Sequence, residues 1–124
     1  MKGRRVLVWS EQGIGDEIMF ANPIPDLLAS GAELVLECND RLAPIFQRSF
    51  PDAAVVARSD PPSGLIDGAG IDYQAPMASL CTYLRSSKIS FTANRGRYLE
   101  PEPTRVAELR TRYQALGPGL NIGI

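Results

Sequence analysis

The chain of 124 residues contains no histidine. Without an imidazole, a Ser-His-Asp triad, a Cys-His pair and the usual zinc-enzyme ligand sets cannot be assembled within it. Acid and base chemistry falls instead to Asp, Glu, Lys, Tyr or Cys, or to a group supplied by a partner. Cysteine is scarce. Cys38 and Cys81 stand alone, with no C-x-x-C pair and no metal-ligand spacing, and read as reduced, half-buried thiols of a cytoplasmic protein. Long apolar runs are missing too: the basic Met1-Lys2-Gly3-Arg4-Arg5 is followed by a stretch that ends by Ser10 and Glu11, too short for the core of a signal peptide. No segment is long and apolar enough for a transmembrane span. Nor does one sign of charge prevail. Thirteen basic and fourteen acidic residues are interspersed for a net charge of −1, which leaves no electrostatic footprint for nucleic acid or an anionic membrane. With 44% hydrophobic residues the chain can bury one ordinary core, without room for a second complete domain.

The most informative stretch is Val6-Leu7-Val8-Trp9-Ser10-Glu11-Gln12-Gly13-Ile14-Gly15-Asp16-Glu17-Ile18. A short apolar run, a glycine turn and an acidic helix start read as the first strand, loop and helix of an α/β nucleotide-type fold. A dinucleotide fingerprint would place a third small residue where Ile18 stands, and would leave the helix N-terminus uncharged for the pyrophosphate. Here Asp16 and Glu17 occupy that turn. They suit the positive end of the helix dipole but would repel an incoming phosphate, so the loop reads as a mount for a carboxylate. Glu37, about twenty residues on, lies where a ribose-binding acid would sit in a nicotinamide enzyme, and that alternative stays open. No cofactor is assigned.

Beyond the first turn, Leu27-Leu28-Ala29-Ser30-Gly31 closes the first helix with a glycine stop, and Pro23 and Pro25 predict a break near Asn22. Glu33–Glu37 is a second strand. Asn39 or Asp40 is placed to cap a second helix carrying Leu42, Ile45 and Phe46, and Ala54–Ala57 reads as a third strand. The turn-rich stretch from Ser59 to Gly70 predicts a long loop, and Ile71–Gln74 a fourth strand. Pro76–Leu80 reads as a strand-to-helix crossing leading to a short helix through Leu84. The segment from Ser86 to Tyr98 has no clean period, with a short strand expected around Arg97–Leu99. Val106, Leu109, Tyr113 and Leu116 then share one helical face, which predicts a surface helix packed on the sheet and stopped by Gly117-Pro118-Gly119. The architecture expected is a three-layer α/β domain with a mostly parallel sheet of about five strands. Residues 1–119 would form this Rossmann-like domain, and Leu120-Asn121-Ile122-Gly123-Ile124 would open a truncated second one.

The run Arg5–Ala21, with its Glu-Gln-Gly-Ile-Gly-Asp string, resembles the start of the heptosyltransferase-like glycosyltransferases found attached to tetratricopeptide repeats in bacterial proteins. The likeness extends to Leu27-Leu28, Gly31-Ala32, Ala75–Leu80, Arg97-Tyr98-Leu99 and Asn121–Ile124, and so covers essentially the whole chain. It implies a GT-B architecture of two Rossmann-like domains facing across a cleft, of which this chain is the N-terminal, acceptor-side half. The implied partners are a sugar acceptor and a nucleotide-sugar donor, the latter bound mostly by the other half. The resemblance assigns Asp16 as the base that deprotonates the acceptor hydroxyl, with a plain helix cap or first-turn acid as the alternative. Glu11, Gln12, Gly13 and Gly15 belong to the same loop, Glu11 and Gln12 reaching the cleft to orient a hydroxyl, with solvated loop residues as the alternative, and the glycines serving the turn. Met77 and Ser79 are expected in the cleft wall, with core packing as the alternative. Such a half-enzyme alone would be inert. A non-catalytic interaction domain on the same scaffold is a further alternative.

Overall fold

The computed structural model describes residues 1–66, 70–92, 96–119 and 122. Four strands, β1 (Arg5–Trp9), β2 (Glu33–Cys38), β3 (Ala54–Ala57) and β4 (Tyr73–Pro76), form one parallel sheet in the order β3-β2-β1-β4. β1 lies between β2 and β4, with Leu7 paired to Val35 on one side and to Gln74 on the other. The middle of β1 is buried on both faces, which explains its unbroken apolar run where a half-exposed strand would alternate.

Between β1 and β2 the chain makes two helices, α1 (Ile14–Phe20) and α2 (Ile24–Ala29). The break predicted near Asn22 is present: Pro23 caps α2 and Pro25 sits in its first turn, where a missing N–H costs nothing. Gly31 takes a φ of +80° after α2 and lies against Lys2, so a side chain there would be strained and crowded at once. α3 (Ala43–Ser49) connects β2 to β3 and buries Leu42, Ala43 and Phe46 as its spacing implies. Its N-cap is Leu42, however, without a side-chain cap. The carboxamide of Asn39 and the carboxylate of Asp40 both accept from the Arg41 N–H and organise the turn ahead of the helix instead.

These helices cover one face of the sheet. Val6, Val8, Leu34, Leu36 and Cys38 meet Ile24, Leu27, Phe46, Phe50, Met77 and Leu80 in a single core. The other face presents Leu7, Val35 and Val56 and is covered by Trp9 with Ile66 and Ile71. The third layer there comes from the long β3–β4 connection, whose prolines and glycines make a turn at Gly64–Ile66 and leave no described helix. The domain is thus α/β and Rossmann-like in winding, with four strands among the described residues where about five were expected. Arg97–Leu99 forms no strand. Tyr98 and Leu99 lie irregularly against the main core, and the Tyr98 hydroxyl donates to the Ile18 carbonyl at 2.9 Å.

After β4 a 3-10 turn (Met77–Ser79) leads into α4 (Leu80–Leu84), followed by α5 (Lys88–Thr92) and α6 (Pro103–Gln114). The expectation that α6 packs on the sheet is not met: it buries no residue, and Tyr113 and Leu116 are 48% and 70% exposed. The core on the helical side is already filled by α2, α3 and α4; α6 is capped by Glu102, which accepts from the Thr104 and Arg105 N–H groups, and the chain just before it is tied to α3 by the Glu100 N–H on Ser49 Oγ at 2.8 Å and Arg48 Nε on the Glu100 carbonyl at 3.0 Å. Of the strand predicted over Leu120–Ile124, all but the exposed Ile122 lies outside the described residues. Among the described residues no helix is long and apolar enough to cross a membrane.

Candidate functional site

In a parallel sheet every strand ends on the same side, and the residues just past those ends share one edge. Here they are Ser10 after β1, Asn39 after β2, Arg58 after β3 and Met77 after β4. The loop from Ser10 to Gly13 opens at this edge and delivers α1. Glu11, Gln12, Gly13 and Gly15 are exposed, while Asp16 is half-buried as the third residue of the helix.

Asp16 does not cap α1. The N-cap is Gly13, in extended conformation and without a side-chain bond. The Asp16 carboxylate folds back along the helix start, with Oδ2 3.8 Å from where a Cβ on Gly13 would stand. Among the described residues no hydrogen bond or ion pair engages it. Neither glycine takes a positive φ, and a Cβ on Gly15 would meet nothing within 4 Å. The turn therefore does not require them for strain or for helix packing, contrary to expectation. Their effect is to leave the surface beside Asp16 bare.

Glu17 behaves in the opposite way. It is 3% exposed, and its carboxylate accepts the Ser10 hydroxyl proton at 2.5 Å and the Asn39 N–H at 2.9 Å. Ser10 Oγ in turn accepts from Arg58 Nη2 at 2.9 Å, and Arg58 Nε lies 4.0 Å from Glu37. The second acid of the first turn thus faces the interior, away from any arriving phosphate. Sequence reasoning missed this group and its partners Ser10 and Arg58. One signal was available: Glu17 falls on the stripe Ile14, Ala21, Ile24 at i, i+3, i+7 and i+10, where a carboxylate must have internal donors. Glu37, the candidate ribose acid, stands at the end of β2 beside Arg58.

Met77 is 2% exposed and belongs to the core, yet it also floors a narrow crevice with Glu11, Gln12 and Phe20 that is too tight to hold a water molecule. Ser79 is half-buried on the 3-10 turn and does not line that crevice. A larger cleft of about 460 Å³ lies alongside α1, walled by Met19, Phe20, Phe91 and Tyr98 with the polar Asn22 and Cys81. Met19 and Phe20 follow Asp16 by three and four residues, so this apolar wall continues the helical face that carries the carboxylate. Burial raises the Tyr98 phenol above its ordinary value. Cys38 is fully buried, and its thiol is pushed up to about 12 by burial and by the nearby Glu17 and Glu37 carboxylates, which makes it chemically silent at neutral pH. Both cysteines are free, and no group of three His, Cys, Asp or Glu among the described residues is placed to hold a metal ion.

No protein-family profile and no solved structure matches the chain. The chain is similar to Protein FlbA of Caulobacter vibrioides, with 36% identity over an alignment of 136 positions that takes in all of this chain and 23% of that protein. It therefore spans about a quarter of the relative it matches.

Proposed function

We propose that this chain is the acceptor-side, N-terminal domain of an inverting glycosyltransferase of the heptosyltransferase-like kind, with Asp16 as its base. The observation that carries the reading is the Asp16 carboxylate: half-buried, without a protein partner among the described residues, and mounted at the strand-end edge where folds of this winding bind ligands.

In such a transfer the acceptor hydroxyl gives its proton to an Asp16 oxygen. The acceptor oxygen then attacks the anomeric carbon from the face opposite the nucleotide, and the bond from that carbon to the leaving phosphate oxygen breaks with its electron pair on the phosphate. The contribution of Asp16 lies in placement, since a base within hydrogen-bond reach replaces a chance encounter in solution. The bare glycines beside it admit the acceptor closely, Glu11 and Gln12 are the polar groups nearest the loop mouth, and the Met19–Tyr98 cleft offers an apolar wall along the same helix.

The test is release of nucleoside diphosphate by the parent polypeptide extended past Ile124, offered uridine, guanosine and adenosine sugar nucleotides with acceptor-rich cell extract. Transfer that falls by about a hundredfold or more in Asp16→Asn, the range for removing a general base, supports the reading. Transfer unaffected by Asp16→Asn overturns the role of Asp16, and micromolar binding of a nicotinamide dinucleotide by residues 1–124 overturns the assignment altogether.

A further inference from the structure

The Glu17 carboxylate occupies an unusual place for a charged side chain. It lies in the first turn of α1, is 3% exposed, and bonds to no residue of its own helix through its side chain. Its two acceptor oxygens go instead to the residues that directly follow β1 and β2, one to the Ser10 hydroxyl and one to the Asn39 N–H. Through Ser10 the connection reaches the residue that directly follows β3, Arg58, whose own N–H is held by the Cys38 carbonyl at 2.8 Å. One side chain therefore ties together three of the four strand ends at the edge where the candidate site lies. Burial of this group is costly unless every lone pair is used, and an apolar residue would serve the core at least as well.

We propose that Glu17 is a positioning residue: it staples the Ser10–Gly13 loop to the β2 and β3 ends and so holds the neighbouring Asp16 carboxylate and the Arg58 guanidinium at fixed places on the site edge. This rests on the sugar-transfer reading for its chemical purpose, while the staple itself is a property of the 124-residue chain. The Arg58 side chain is 48% exposed, so the same network that buries Glu17 presents a cation at the rim. Asn39 and Ser10 are also coupled by the staple, which makes the loop order depend on both hydrogen bonds together.

The deciding measurement is residue-resolved amide hydrogen exchange on the 124-residue chain and its Glu17→Gln and Ser10→Ala variants. Glutamine keeps the volume but brings an NH₂ group against one of the two donors. Exchange at Asn39, whose N–H the carboxylate accepts, and at Glu17, whose N–H bonds the Gly13 carbonyl, is expected to rise about tenfold or more in Glu17→Gln, with less than about a threefold change at Val8 and Leu36 in the strands. Ser10→Ala, which removes one arm, should raise exchange at Glu17 by more than at Asn39, whose N–H keeps its own bond to the carboxylate, and it serves if the first variant fails to fold. A uniform rise that includes Val8 and Leu36 would make Glu17 an ordinary stability residue and overturn the proposal. Unchanged exchange at Asn39 would overturn it as well. In the extended parent, Glu17→Gln should lower kcat with KM little changed, as for a group that sets geometry in the transition state. If the wild-type parent transfers no sugar, the transferase reading fails, and the exchange result alone decides the staple.

Discussion

Arg85 and Asp26 make a pair whose two halves should not be equally dispensable. Arg85 ends α4 with its side chain only 4% exposed, and its Nη1 meets Asp26 Oδ2 of α2 at 2.5 Å; the Asp26 side chain is 37% exposed. The remaining guanidinium contacts among the described residues are the Leu84 carbonyl at 3.0 Å and the Asn22 carboxamide oxygen at 3.3 Å, and Nε has no hydrogen-bond partner among them. Asp26→Asn therefore strands a buried cation with two neutral acceptors. Breaking a fully buried pair costs about 3–5 kcal/mol, and water reaching the Asp26 side of this one lowers the expectation to roughly 2–3 kcal/mol. Arg85→Met keeps most of the apolar packing and leaves a side chain that is 37% exposed although its Oδ2 is buried, so its cost is about 1–2 kcal/mol. The double variant should lie close to Arg85→Met, because the neutral amide that replaces the Asp26 carboxylate then faces no stranded charge. Urea unfolding of the four proteins reads this directly as a shift in midpoint at constant slope, and the cycle isolates the coupling. An Asp26→Asn variant no less stable than Arg85→Met would refute the reasoning, since burial of the cation would then not be the controlling cost.

Three further outcomes follow from the same geometry. Gly15→Ala should raise unfolding free energy by roughly 0.4–1 kcal/mol, because the residue is helical and a Cβ there meets nothing within 4 Å; in the extended parent the same methyl should slow transfer by crowding the approach to Asp16, and a variant both less stable and fully active would contradict both statements. Titration with a thiol reagent at pH 8 should label the half-buried Cys81 promptly and Cys38 only on unfolding, its thiol being fully buried and pushed up to about 12; prompt labelling of both sites in the native state would contradict this. The Glu102 carboxyl is held below its ordinary value of 4.5 by the Arg105 and Thr104 N–H groups. Its contribution to the start of α6 is therefore complete above that value and lost as pH falls through the lowered folded one, so carbon chemical shifts of Thr104 and Arg105 should lose helical character only in that acid range, and a loss near neutrality would reverse the sign.

Much of this arrangement was legible in local pattern. The break at Asn22 follows from two prolines that cannot donate, the Phe46 face follows from helical spacing, and the mount for Asp16 follows from a glycine turn between an apolar run and two acids. Helix α6 shows the limit of that pattern. Its spacing of Val106, Leu109, Tyr113 and Leu116 gives it an apolar face, but periodicity says only that a face exists and nothing of whether a surface remains to receive it. The short strand expected at Arg97–Leu99 failed for a related reason: Tyr98 and Leu99 found burial against the main core, and the Tyr98 hydroxyl a carbonyl on α1, without joining the sheet. Similarly, an acidic first turn suggested two equivalent carboxylates, whereas one faces the open loop and the other the interior.

The α/β class, the first strand–loop–helix unit and the position of Asp16 are thus written into neighbouring residues, because backbone preferences and side-chain period act over a few positions at a time. The partners of Glu17 are not. Ser10 and Asn39 stand 7 and 22 positions from it, and Arg58 stands 48 from Ser10. They meet only because parallel pairing of β1, β2 and β3 brings every strand to its end on the same side of the sheet. Which of two adjacent carboxylates is held fast and which is left free was decided there, by the alignment of strand ends that no local run of residues records.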